Sequence, residues 1–197
     1  MHTIPINTEE NSLEILGGKG RSLARMTRSG FRVPDGFIVT ADAYRDFVNT
    51  CGIQEEIIEL AKPDLKNGYP NFEECSKKIQ LIIESNQTPD STRNEIIEAY
   101  EGLSGKDLRM AVRSSANAED LPELSFAGQQ ETFLNISTSA AIIESVHKCW
   151  ASLWTPQAIS YRHQNGIDQS SVAMAVVVQK MIPSEVSGIL FTCLLYT

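Results

Sequence analysis

Apolar positions recur at helical spacing through most of the first hundred residues and at strand spacing soon after. In RSLARMTRSG, Leu23 and Met26 share one face and Gly30 supplies a stop. Pro34-Asp35-Gly36 is a turn signal, and Phe37 to Val39 a short strand behind it. Thr40 is placed to cap a helix on which Tyr44, Phe47, Val48 and Cys51 recur. Three further amphipathic helices follow. Ile53, Ile57 and Leu60 mark the first, and Phe72, Cys75, Ile79, Ile82 and Ile83 the second. The third opens at Thr88-Pro89, a cap followed by proline at the first helical position, and carries Ile96, Ile97 and Tyr100.

Helical periodicity ends in GLSGK, Gly102 to Lys106, and strand character begins at Met110. From Ala111 to Ile136 an apolar run breaks into a long polar loop marked by Pro122 and Gly128, then returns to strand residues at Phe133-Leu134. Loops of that length inside a compact domain usually carry function. Thr138 or Ser139 caps a helix with Ile142, Ile143, Val146, Trp150, Leu153 and Trp154 inward, and Thr155-Pro156 opens another that Gly166 ends. Val172 to Gln179 is apolar on both faces, as in a buried sheet. Ser187 to Thr192 reads as its neighbour, reached through a turn at Ile182-Pro183-Ser184. The pattern predicts an α/β fold with a helix-rich lobe over 1–105 and a sheet-containing lobe over 106–192.

Charge narrows the choice of partner. Against 17 lysines and arginines stand 25 acidic residues, a net charge of -8, with no basic cluster. A nucleic-acid backbone needs a basic face, so nucleic acid is not expected; a small phosphate ligand needs only a few placed cations. The N-terminus lacks the basic segment and apolar run of a signal peptide, and no stretch approaches a membrane span, so a cytoplasmic protein is expected. Cys51, Cys75, Cys149 and Cys193 are far apart and form no CxxC pair, which indicates neither a zinc site nor a disulfide framework.

Candidate chemistry gathers around three places. The glycines of ILGGKG precede a helix, where backbone N–H groups and the helix dipole favour an anion, and Lys19 adds a full charge; a solvated lysine at a helix start is the alternative. Arg113 ends a buried strand as a planar cation suited to phosphate oxygens, with small residues Ser114 to Ala116 keeping the approach open. It could equally pair with Glu119 or Asp120. Gly128 and its neighbours could offer N–H groups to the same anion. Gln179 presents an amide suited to a base or ribose edge, or is a polar cap at a strand end. His147 and His163 have no partner at ligand spacing and are not expected to be catalytic.

VRSSANAEDLPELSFAGQQETFLNI resembles the signature of the N-terminal ATP-binding domain of the phosphoenolpyruvate synthase, pyruvate phosphate dikinase and rifampicin phosphotransferase group. GGKGRSLARM, VPDGFIVTADAY, YRHQNGID and VVVQKMIPSEVSGILFT resemble further blocks of that domain in the same order. Nearly the whole chain is covered, with more likeness to the synthase and the rifampicin phosphotransferase than to the dikinase. The resemblance implies an ATP-grasp type fold and an enzyme in which ATP gives its β-phosphoryl group to a histidine on a separate swivelling domain. AMP and phosphate leave, and the phosphohistidine serves an acceptor, pyruvate or rifampicin-like, in a third domain. It implies ATP contacts for Lys19, Arg113, Gly128, Thr132, Phe133 and Gln179, Phe133 through its backbone.

The resemblance also implies a further lobe segment, with magnesium ligands and another arginine, beyond Thr192. Cys193 to Thr197 does not resemble the family's continuation. The chain is therefore expected to be an incomplete ATP-grasp region with a non-family tail at 193–197, from a truncation or from sequence foreign to the gene. Its Mg2+ ligands are expected outside it, and no catalytic residue within it. A non-catalytic module that holds a nucleotide or a protein partner is the rival reading.

Overall fold

A computed structural model of the chain describes residues 1–66, 69–103, 108–116 and 131–188. In chain order the elements are β1 (Thr3–Pro5), α1 (Leu13–Arg28), β2 (Gly36–Val39), α2 (Ala41–Thr50), α3 (Gln54–Leu60), β3 (Asp64–Lys66) and β4 (Tyr69–Asn71). There follow α4 (Glu73–Ser85), α5 (Asp90–Glu101), β5 (Met110–Ala116), β6 (Thr132–Ile136), α6 (Ser139–Ser152), α7 (Pro156–Gln164) and β7 (Met174–Lys180). The fold is mixed α/β. Five strands form one sheet in the order β1-β2-β7-β5-β6, with every neighbouring pair antiparallel. β3 and β4 make a separate short hairpin.

β7 is central because its residues can be buried on both sides: Val176, Val177 and Val178 are wholly inaccessible. Each such valine stabilises the fold by about 1.5–3 kcal/mol relative to exposure. β2 and β5 occupy the two edges of β7, pairing Gly36 to Gln179 on one side and Met110 to Lys180 on the other. Both edges of β7 are therefore filled by β2 and β5, where the sequence pattern predicts Ser187 to Thr192 as a neighbour. Ser187 and Gly188 belong to no strand, and residues 189–192 lie outside the described residues. The sheet takes β1 and β2 from 1–105 and β5, β6 and β7 from 106–192, and one hydrophobic core runs through both segments.

That core is anchored by aromatics at helical spacing. Phe47 stacks on Trp150 at 5.1 Å, Tyr44 meets Trp150 edge-on at 5.8 Å, and Trp154 Nε1 donates to the Tyr44 hydroxyl at 2.9 Å. Burial pushes the Tyr44 phenol up to about 12. Thr138 and Thr155 cap α6 and α7 by accepting from Ala141 and Ala158, with Pro156 at the start of α7. Two expected caps differ. Thr40 donates to the Met1 carbonyl instead of capping α2. α5 starts at Asp90, and Thr88 is buried against His147 Nε2 at 2.6 Å. Among the described residues no helix is long and apolar enough to cross a membrane.

Candidate functional site

The glycine segment lies inside α1 rather than ahead of it. Gly17 adopts φ 66° and ψ 175°, which breaks the helix after one turn and starts it again at Gly18. That conformation is essentially confined to glycine. Gly18, Lys19 and Gly20 thus form the first turn of the renewed helix, where amide N–H groups and the positive end of the dipole gather. The cap of this turn comes from another element: the Ser115 hydroxyl on β5 accepts from Gly20 N–H at 3.0 Å and donates to the Leu16 carbonyl at 2.9 Å.

Strand register shows which candidate residues share a surface. Arg113 stands opposite Thr132 on β6 and Val177 on β7, and Val177 stands opposite Ile38 on β2. Residues directly opposite one another project to the same face, as do residues two apart on one strand. Arg113, Thr132, Ser115 and Gln179 therefore lie on one face of the sheet. α1 covers that face, since a Cβ at Gly20 would approach the Ile38 side chain at 3.1 Å. Phe133 pairs with Val112 and projects from the other face, where its ring lies 5.9 Å from Lys148 Nζ on α6. Of the six sequence candidates, Arg113, Thr132 and Gln179 share a face with the glycine segment that carries Lys19. The Phe133 side chain does not, and Gly128 lies outside the described residues, as do Glu119 and Asp120.

Lys19 is half-buried on the renewed helix. It acts electrostatically on the Cys149 thiol, as does Glu131, the residue just before β6. Burial raises that thiol's pKa far above its usual value, Glu131 raises it further, and Lys19 partly opposes both. Gln179 is 7% exposed, and its Nε2 donates to the Pro34 carbonyl at 3.0 Å, which fixes the turn before β2. Ser114 and Ser115 are both fully buried, so their small size serves packing rather than an open approach to Arg113. The Ser114 amide and hydroxyl both donate to the Glu131 carbonyl, at 3.1 and 3.3 Å. Ser115 was not among the sequence candidates. A hydroxyl two residues beyond the arginine on the same strand face was the available signal.

His147 is buried between Phe47 and Trp150, and His163 leans on Phe72 at 5.7 Å. The described residues contain no group of three or more His, Cys, Asp or Glu side chains able to hold a metal. What they offer an anionic ligand is a cation-bearing helix start beside a strand arginine, which suits phosphate oxygens.

Residues 13–196 match the pyruvate phosphate dikinase AMP/ATP-binding domain family. The chain belongs to that family. Members similar to it include a probable phosphoenolpyruvate synthase of Methanocaldococcus jannaschii, 47% identical over 91% of this chain and 16% of the relative. The phosphoenolpyruvate synthase of Aeropyrum pernix is 44% identical over 91% of this chain and 23% of its own length. The rifampicin phosphotransferase of Streptomyces sviceus is 44% identical over 93% and 21%. The chain thus spans between about a sixth and a quarter of the length of these relatives.

Proposed function

We propose that this chain is the ATP-binding region, of ATP-grasp type, of a cytoplasmic phosphotransferase resembling phosphoenolpyruvate synthase or rifampicin phosphotransferase. In the whole enzyme the β-phosphoryl group of ATP passes to a histidine on a swivelling domain and then to pyruvate or a rifampicin-like acceptor on a third domain, leaving AMP and phosphate. The observation that carries this reading is the shared sheet face: Arg113 and Thr132 lie opposite each other, beneath the helix whose first turn bears Lys19. Charge on the transferring phosphoryl group is spread over its oxygens, so positioned cations and N–H groups supply most of the stabilisation such a reaction needs. Gln179, Gly128 and the Phe133 backbone complete the proposed ATP contacts. Mg2+ would neutralise phosphate charge when bound. Its ligands are proposed to lie outside this chain.

Isothermal titration of the chain with ATP and with AMP tests this directly. Each charge-assisted contact is worth about 1.5–3 kcal/mol, so Lys19→Ala and Arg113→Ala should each weaken ATP binding by roughly 10- to 100-fold. If neither nucleotide binds at millimolar concentration, or if both variants bind as the parent does, the assignment fails.

A further inference from the structure

We propose that Ser115 is a positioning residue that sets Lys19 relative to Arg113, an inference that rests on the nucleotide reading above. The hydroxyl is the joint between two separate elements. It accepts from Gly20 N–H and donates to Leu16 C=O, one on each side of the kink in α1, while its own strand carries Arg113 two residues earlier on the same face. The contact is made backbone to backbone: a Cβ at Gly17 would stand 2.0 Å from the Ser115 carbonyl oxygen and 2.4 Å from Oγ. Lys19 is the residue before the bonded Gly20 amide, so its Cα can move little unless this bond opens. Along the strand, Arg113 and Ser115 are about 7 Å apart by ordinary strand rise. One hydroxyl therefore holds both cation-bearing backbones within a span that one triphosphate can bridge.

The role needs a group that donates and accepts at once, which a hydroxyl does and a methyl cannot. Ser115→Ala leaves the Leu16 carbonyl and the Gly20 amide without their partner and frees the turn that carries Lys19. Ser115→Thr keeps the hydroxyl. Ser114→Ala removes the neighbouring hydroxyl, which is bonded to Glu131 on the opposite face, and serves as the control.

The experiment uses the 197-residue chain, with ATP titrated into the parent, Ser115→Ala, Ser115→Thr, Ser114→Ala, Lys19→Ala and the Lys19→Ala/Ser115→Ala double variant. Gly20 amide exchange is followed alongside. Ser115→Ala should weaken ATP binding about 10-fold and speed Gly20 exchange at least 10-fold. The affinity loss should vanish when Lys19 is already alanine, because the hydroxyl acts through Lys19. Ser115→Thr and Ser114→Ala should bind as the parent does. If Ser115→Ala does not fold, Ser115→Cys, which fills the site with a larger atom that is only a weak donor and acceptor, takes its place with the same expectations.

Unchanged ATP affinity in Ser115→Ala, unchanged Gly20 exchange, or an equal loss with and without Lys19 overturns the inference while leaving the nucleotide reading in place. A parent chain that binds no ATP removes both.

Discussion

Gly17→Ala probes the kink that shapes the site, and its cost can be worked from two features. First, alanine must occupy φ 66° and ψ 175°, a backbone region essentially reserved for glycine, at about 1–3 kcal/mol. Second, its Cβ would stand 2.0 Å from a backbone oxygen of β5, and a backbone atom cannot rotate aside. α1 must lift off the sheet, which separates Ser115 from Leu16 and Gly20. Each buried group left without a partner costs about 1–3 kcal/mol, so the total is on the order of 3–9 kcal/mol. Whole domains are stable by about 5–15 kcal/mol, so the variant should be close to unfolding at room temperature.

Gly20→Ala, three residues on, is the internal comparison. Its Cβ would meet Ile38 Cδ1 at 3.1 Å, the far end of a side chain that can turn, and Leu16 Cβ at 3.3 Å, a contact that a small shift relieves, and alanine gains about 1 kcal/mol over glycine within a helix. That variant should be within about 1 kcal/mol of the parent. Urea unfolding followed by fluorescence of the buried Trp150 and Trp154 reads both. A Gly17→Ala loss below about 1 kcal/mol, or equal losses for the two, would show that the kink and its contact with β5 are not as described.

Two predictions concern titratable groups in the core. Burial lowers the pKa of His147 from 6.5, so as pH falls through the unfolded value the unfolded chain takes up its proton first. Stability is present above that value and declines toward the lowered folded value. Comparing urea midpoints at about pH 7.5 and about pH 5.5 should show a drop that shrinks in His147→Phe, and an equal drop in both would rule His147 out as its source. Cys149 is wholly buried with its thiol pKa raised by desolvation, whereas Cys51 and Cys75 are half-buried. In native buffer a thiol reagent should modify Cys51 and Cys75 and spare Cys149 until urea unfolds the chain; early labelling of Cys149 would contradict its burial.

The helices were legible because each rests on a local period. Tyr44, Phe47 and Val48, or Ile142, Val146 and Trp150, pack as their spacing requires. β1, β3 and β4 were not legible, since three residues carry no period and their pairing is decided by partners far along the chain. The site was half legible. Arg113 and Lys19 could be named as charges suited to phosphate, but only register shows that Arg113 faces Thr132 while Phe133 turns to the other side. The glycine pair suggested a helix start. That the helix begins a turn earlier and breaks at Gly17 depends on Ser115, 98 residues downstream, which no local pattern can show.

The sheet order also governs how this protein can be made. β7, the last described strand, is third of five, wedged between a β1-β2 pair and a β5-β6 pair. On a ribosome the two outer pairs emerge long before the segment that joins them, each with an inner edge open to any passing strand. Assembly must wait for residues 174–180, and their insertion closes contacts distant in sequence, the slow kind. Nascent chains halted before Met174 should therefore be wards of chaperones, however well their helices have formed.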